Sequence, residues 1–446
     1  MQKTKIALIL VLIFCILPRL RHPFISGDLV DFGPYYTAAT LARDHQGIGI
    51  YSGADTGLDP QNVLADSSTL FAKTARRIGV QRPFLYLYPP ILADMLIPLT
   101  FFPFSTARTI WAALNYAMLP FAAFFIVRLL KLRLISWGSL IVLTVLYSFS
   151  PVIQCINMGQ VSILLLLLWA SGTLFHVKGW HVASGFAFAL AAAIKLTPLI
   201  VVFPLLLMKE WKTLRAFFVS LLFLTTVTCF INTPSSLTDY FIHVVPPMSR
   251  GILTVINISI SASVERLYVA LHHGVISPAV TDQIPAALIW LGKGLDAAIL
   301  GFAALLIYSR GNAIRTADRT IALALFAVLS VCVAPVSWQH GCTLCFLALC
   351  LLWAEALREP KSNLYLMILV FGTITQTTSL NEFAYKNLDG HATRPILAAL
   401  LLSVTPIGGV VLVFTRLLAM RSSDSSSPTP ELERQALPID SPNPVA

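Results

Sequence analysis

Residues 160–215 read QVSILLLLLWASGTLFHVKGWHVASGFAFALAAAIKLTPLIVVFPLLLMKEWKTLR, and the fold follows from how this stretch is divided. Three apolar runs, 160–177, 181–195 and 198–208, are punctuated by Lys178, by Lys195 and by Lys209, Lys212 and Arg215. A helix rises about 1.5 Å per residue and a bilayer core is about 30 Å thick, so the first two runs come close to a crossing. After Lys195, Thr197-Pro198 leaves about eleven residues before Lys209, only half a crossing. Such a break at membrane depth is tolerated only where backbone lines a protein cavity.

The rest of the chain extends the pattern. Of 446 residues, 57% are hydrophobic and 12% charged, where a soluble domain carries about 25% charged. A mean hydropathy of +0.77 over this length cannot be hidden in one soluble core, which stops growing near about 250–300 residues. A secreted disulfide scaffold, a nucleic-acid module and a disordered chain are excluded on the same grounds. The net charge of +10 comes from short basic clusters between apolar runs, as in cytoplasmic loops under the positive-inside rule. Cys15, Cys155, Cys229, Cys332, Cys342, Cys345 and Cys350 lie within or beside those runs and read as small buried hydrophobes.

Lys3 and Lys5 precede a run at Ile6–Leu17 with no small-residue cleavage site after it, which reads as an uncleaved first span with its N-terminus inside. Further runs fall at about 106–129, 134–151, 160–177, 181–195, 198–208, 212–231, 284–308, 320–335, 339–357, 362–378 and 395–417. Alternation from the first span puts Arg128/Lys131/Arg133, Lys178, Lys209/Lys212/Arg215, Arg310/Arg315/Arg319, Arg358/Lys361 and Arg416/Arg421 on one side. The expectation is an all-α polytopic membrane protein, residues 1–420, with about twelve spans and both termini cytoplasmic. Two exterior loops are large, 19–105 and 232–282, and 421–446 is a Ser- and Pro-rich cytoplasmic tail expected to be disordered. Residues 89–103, with a double proline, Asp94 and Pro98, suit an interfacial helix better than a span.

Ionisable residues at the membrane edge are functional candidates because they are costly to keep there. Gly27-Asp28-Leu29-Val30-Asp31-Phe32-Gly33-Pro34-Tyr35-Tyr36 opens the first exterior loop and sets two carboxylates at the hydrocarbon boundary. Partial desolvation makes such a group more basic, fit to deprotonate a hydroxyl; the plainer reading is a helix-exit acid beside an aromatic belt. Lys195, aimed into an outward recess, would meet an anionic headgroup such as a phosphate, or else simply snorkel. Asn157-Met158-Gly159-Gln160 offers amides to a sugar hydroxyl on the same face. Arg266 follows the polar run Asn257–Ser263, with Glu265 beside it, and Ser337-Trp338-Gln339-His340 opens another span. Lys293 and Asp296 are expected to compensate each other on one helix. No exterior His/Asp/Glu cluster has ligand spacing, so neither a metal nor another cofactor is expected.

In this order and topology the residues resemble the bacterial integral-membrane glycosyltransferase family 87, of the GT-C fold class, including its polyprenyl-phosphate-mannose-dependent alpha-mannosyltransferases. The likeness is carried by Asp31-Phe32 with Tyr35-Tyr36 and Ala38-Ala39, Tyr88-Pro89-Pro90, Ala107 with Trp111 and Gly159-Gln160-Val161. It continues through Lys195-Leu196-Thr197-Pro198, Asn257 with Ser259, Arg266-Leu267, and Ser337-Trp338 with His340. The resemblance implies a GT-C-like bundle in the bacterial cell membrane and an inverting hexosyltransferase acting on the exterior face. It implies a polyprenyl-phosphate sugar donor and a glycan or glycolipid acceptor, with membrane lipids around it and no nucleic acid. By the same likeness Asp31 is the base, Lys195 and Arg266 hold the donor phosphate, and Asp28, Tyr35, Tyr36, Gln160, Asn257 and His340 line the sugar or acceptor cleft. Gln339 and Gly341 depart from the family pattern of an acid and a second histidine around His340. A lipid or sugar transporter or flippase is the alternative, since broken helices and intramembrane charges occur there too; a non-catalytic scaffold would not need Lys195 at a break.

Overall fold

The computed structural model describes residues 29–54, 63–254, 256–274, 276, 278–310, 314, 316–377 and 395–420. The expected first span, Asp28, Arg315, Arg421 and the tail lie outside them. The regular elements among the described residues are helical, and Leu64 meets Phe84 at an isolated antiparallel bridge. In chain order, α1 Phe32–Arg43, α2 Leu70–Arg77 and α3 Pro90–Leu96, continued by a 3-10 turn Ile97–Phe101, precede the first long helix. Then come α4 Phe104–Leu129, α5 Trp137–Ser148, α6 Ser150–Met158, α7 Ser162–Val177 and α8 His181–Ile194. A 3-10 turn Thr197–Val201 leads to α9 Val202–Leu207 and α10 Trp211–Asp239. Next are α11 Val245–Ser249, α12 Ile260–His272, α13 Ala286–Tyr308 and α14 Thr316–Cys332. After a 3-10 turn Gln339–Leu344 follow α15 Cys345–Arg358, α16 Asn363–Thr377 and α17 Pro395–Leu418.

Each apolar run beyond the first is thus helical, but length divides them. Five stretches among the described residues are long and apolar enough to cross a membrane: Phe104–Leu129, Trp211–Ser249, Ala286–Tyr308, Gln339–Arg358 and Pro395–Leu418. The α5–α6 pair, bent by 51°, would be a sixth. Residues 90–101, 162–177, 181–194, 197–207 and 363–377 are apolar but shorter, so helix length alone does not give the expected twelve. Two boundaries also move. The helix from Trp211 breaks at Thr233 (φ 73, ψ 151), beside the Asn232 where the second exterior loop was expected to begin, and a second helical segment starts at Pro234. The run expected at 134–151 breaks at Phe149 and continues as α6 to Met158.

Burial separates lipid-facing from central helices. Helix α13 buries just Gly292, Ala303 and Ile307 and turns Trp290, Leu291, Phe302 and Leu305 outward, a surface that suits lipid and not water. Helix α14 buries Asp318 and everything from Thr320 to Cys332, which makes it central. Close packing relies on small residues: a side chain at Gly185 would lie 2.5 Å from the Phe217 backbone nitrogen, so α8 and α10 touch there. Cys155, Cys332, Cys342 and Cys345 are buried free thiols.

One end of the bundle gathers charge. Arg416 pairs with Asp318 and, at 2.7 Å, with Glu355, which Lys361 also meets at 2.9 Å. Arg319 pairs with Glu210, His176 and His181 share the Thr213 hydroxyl, Arg358 donates to the Leu130 carbonyl and Arg310 to that of Met420. These join loops whose basic clusters were expected to share one side of the membrane. Helices α7, α8, α14 and α15 run from this cluster to an opposite end bearing Ser162, Lys195, Trp338 and His340.

Candidate active site

Asp31 is positioned by backbone before its side chain is considered. Leu29 adopts φ 35, the Phe32 N–H closes a turn onto the Leu29 carbonyl at 2.8 Å, and the Asp31 N–H donates to the Met158 carbonyl at 3.0 Å. Phe32 stacks near Phe104 and Trp111, centroids 6.1 and 5.8 Å away, and the Trp111 indole N–H donates to the Gly159 carbonyl at 2.7 Å. Gly159 ends α6 at φ 75, and a Cβ there would lie 3.2 Å from the Cβ atoms of Leu29 and Phe32. Glycine both makes the left-handed turn and leaves room for the start of α1. Asp31 is at the N-cap of α1 yet its side chain caps nothing, so the carboxylate is free for other partners.

Its partner is Gln160. The Gln160 Nε2 donates to Asp31 Oδ2 at 2.7 Å, while its Oε1 accepts from Tyr35 at 2.9 Å and Tyr88 at 2.8 Å. Two hydroxyl donors on the oxygen fix which way the amide points and turn its NH₂ toward the carboxylate. Asp31 Oδ1 accepts no hydrogen bond among the described residues. Burial pushes the Asp31 carboxyl up to about 6, opposed by the Gln160 hydrogen bond and the Lys195 charge. At neutral pH it is therefore ionised and more basic than an ordinary carboxylate. Tyr88 is itself held: its carbonyl accepts from Tyr51 at 2.7 Å and its ring meets Tyr35 edge-on at 5.0 Å.

Lys195 occupies an extended joint (φ −149, ψ 135) between α8 and the following 3-10 turn, as the sequence break implied. Its Nζ lies 5.7 Å from the Tyr88 ring centre, a cation–π distance, and makes no hydrogen bond or ion pair among the described residues. Asp31, Tyr35, Tyr88, Gln160, Lys195 and His340 line one cavity of about 480 Å³, within the usual range for small-ligand sites. Phe84, Leu85, Leu87, Met248, Ile252 and Ile256 make its apolar wall. Such a cavity can take an anion at Lys195, a hydroxyl at Asp31 and an apolar chain along the wall.

The expected site residues divide. Asp31, Tyr35, Gln160, Lys195 and His340 meet; His340 Nδ1 is also 3.1 Å from the Ser162 hydroxyl. Arg266 does not line the cavity. Fully buried, it donates from its two terminal nitrogens to the carbonyls of Asn257 and Thr254 and, at 2.9 Å, to Ser263, so these nitrogens brace Thr254 and Asn257 behind the wall. Asn257 is likewise internal: it bonds the Ile252 and Pro335 carbonyls and the N–H groups of Ser259 and Ser337. Tyr36 donates to the Phe102 carbonyl at 2.7 Å and faces away from the cavity. Asp28 lies outside the described residues. Lys293 and Asp296 form no ion pair; the lysine lies over Trp290 instead.

Tyr88 and Trp338 line the cavity, Ser162 sits behind it against His340, and none of the three was assigned a role. Tyr88 and Trp338 stand in motifs that carried the resemblance, and the sign that could have flagged Tyr88 is a tyrosine directly before a proline pair that starts a helix. Among the described residues no three His, Cys, Asp or Glu side chains gather as a metal site.

The family model described as Glycosyltransferase family 87 matches residues 86–335, more than half of the 446-residue chain. The matched span takes in Tyr88, Gln160 and Lys195, and leaves Asp31, Tyr35 and His340 outside. A comparison with curated proteins returned no match.

Proposed function

The chain belongs to glycosyltransferase family 87, and from that premise we propose that it moves a hexose, which we take to be mannose, from a polyprenyl-phosphate donor to a hydroxyl of a cell-envelope glycan or glycolipid. The observation that carries this reading is one cavity holding both an unengaged carboxylate oxygen, on Asp31, and an unengaged ammonium, on Lys195. Asp31 takes the acceptor proton as the acceptor oxygen attacks the anomeric carbon. The bond from that carbon to the phosphate oxygen breaks, and its electron pair leaves with polyprenyl phosphate, whose charge Lys195 meets. Attack opposite the leaving group inverts the centre. A leaving phosphate needs little acid help, so one carboxylate suffices, unlike the pair used in glycoside hydrolysis. Gln160, held by Tyr35 and Tyr88, keeps Asp31 aimed; Tyr35 and His340 border the sugar, and the apolar wall suits the prenyl chain.

In this reading residues 1–420 form a membrane domain of about twelve crossings, the shorter apolar helices making broken or recessed ones. Residues 19–105 and 232–282 are exterior and residues 421–446 a cytoplasmic tail. Both termini lie inside a bacterial cell membrane, and the cavity opens outward. The test is Asp31→Asn in purified, reconstituted protein supplied with polyprenyl-phosphate hexose. Transfer should fall by at least about 100-fold, with expression unchanged. Unchanged turnover removes Asp31 as base. Donor flipping without any transfer by the unaltered protein replaces the reading with a flippase.

A further inference from the structure

The first expected exterior loop departs from the charge rule most densely in one segment. Lys73, Arg76, Arg77 and Arg82 fall within ten residues, and Asp66 is the one acid between residues 63 and 88; exterior segments are normally poor in such cations. Helix α2 sorts these residues. It buries Phe71, Ala72, Thr74 and Ala75 and exposes Leu70, Lys73, Arg76 and Arg77. At about 100° per residue, Leu70, Lys73 and Arg77 form one stripe. Leu70 lies against Gly49, whose neighbour Ile48 is 66% exposed, so an apolar tip adjoins the cations. Apolar tips beside basic residues are how interfacial helices meet a membrane.

Two contacts set the depth of this face. Gly47 packs on the Asn232 backbone, in the far half of α10. Arg77 pairs with Asp44 at 3.2 Å, and the adjacent Arg43 donates at 2.7 Å to Thr100, next to Phe101, 74% exposed at the entry to α4. Aromatics at the entry of a span mark headgroup depth. The segments flanking α2 continue into the cavity wall at Val63 and at Phe84–Tyr88.

We propose that the Ile48, Leu70, Lys73, Arg76 and Arg77 face rests on anionic headgroups of the exterior leaflet and holds the cavity rim at the level of the lipid phosphates. This rests on the outward-facing topology proposed above and not on the reaction. Each cation near an anionic surface favours contact about fivefold; with Arg77 shared with Asp44, Lys73 and Arg76 together give an expected preference of roughly 25-fold.

The test places a photo-crosslinking amino acid at position 48 of the full chain, in vesicles of equal phosphatidylglycerol and phosphatidylcholine. Capture should favour phosphatidylglycerol roughly 25-fold, and the preference should vanish in K73Q/R76Q/R77Q and in high salt. Equal capture of both lipids, no lipid capture, or a preference that survives neutralisation overturns the proposal. So does a triple variant whose acceptor KM rises in detergent while its lipid preference is unchanged, since the face would then bind an acidic acceptor. Asp31→Asn should keep the lipid preference, which separates this proposal from the transfer reaction.

Discussion

Gln160→Leu tests the site most sharply because it removes one donor from Asp31 and leaves the carboxylate in place. The 2.7 Å bond from Nε2 to Oδ2 is a hydrogen bond to a charged group, worth about 1.5–3 kcal/mol. At about 1.36 kcal/mol per pH unit, its loss lifts the Asp31 carboxyl by about one to two units from its value of about 6. In the proposed mechanism the ionised form is the active one, so activity should be present above the pKa and lost below it. The acid limb of kcat/KM should move from near pH 6 to about 7–8. With a midpoint of about 7.5, the ionised fraction at pH 7 falls from about nine-tenths to about a quarter. The assay is kcat/KM for polyprenyl-phosphate hexose from pH 5 to 9 on folded protein. The plateau near pH 9 should return to within a few-fold of the parent, which separates a titration shift from misfolding caused by the unaccepted Tyr35 and Tyr88 hydroxyls. An acid limb that stays in place refutes the assignment of Asp31 as base or of Gln160 as its partner.

Lys195→Ala should raise the donor KM at least about tenfold, the value of one lost charge-assisted contact, and leave the acceptor KM within a few-fold; equal effects on both contradict a phosphate role. Arg266→Gln should lower thermal stability by about 2–4 kcal/mol, because the Asn257 and Thr254 carbonyls lose a buried donor, with no change in donor KM for the folded fraction. A large KM rise at unaltered stability would return Arg266 to the substrate. Gly159→Ala should cost about 1–2 kcal/mol for the left-handed backbone and cut kcat by displacing Phe32 and Asp31, as read by melting and turnover; full kcat would show that the Gly159 turn does not position the base.

What the sequence reveals here depends on whether a residue's role is set by its own segment. Apolar length and recurring cations marked the long described helices but not Phe32–Arg43, Leu70–Arg77, Val245–Ser249 or Ile260–His272 in the expected exterior loops, and the broken run at Lys195 was visible because Thr197-Pro198 leaves too little chain to cross. Asp31, which lines the cavity, drew notice because two acids just beyond an apolar run are costly. Arg266 and Asn257 misled for a common reason: charge and amide groups advertise binding, but the carbonyls of 252–257 and 335 that consume them come from other segments. Tyr88 was passed over because its hydroxyl gains meaning only when folding delivers Gln160, 72 residues away. The second helical segment after Asn232 was hidden because Pro234 announces the break at Thr233 but not that helix resumes beyond it.

The struts beneath the cavity also fix its depth. Helix α7 has 16 residues and α8 has 14, rising about 24 and 21 Å from the charged end. With the charged end at the inner boundary, as in the proposed topology, a hydrocarbon core of about 30 Å would overtop Gln160 and Lys195 by about 6–9 Å. Under the proposed reaction, either the donor's phosphate descends into the protein or the surrounding lipid thins to meet it. Acyl-chain length would then become a control on sugar transfer, since thicker membranes bury the reacting carbon further from the water that carries the acceptor.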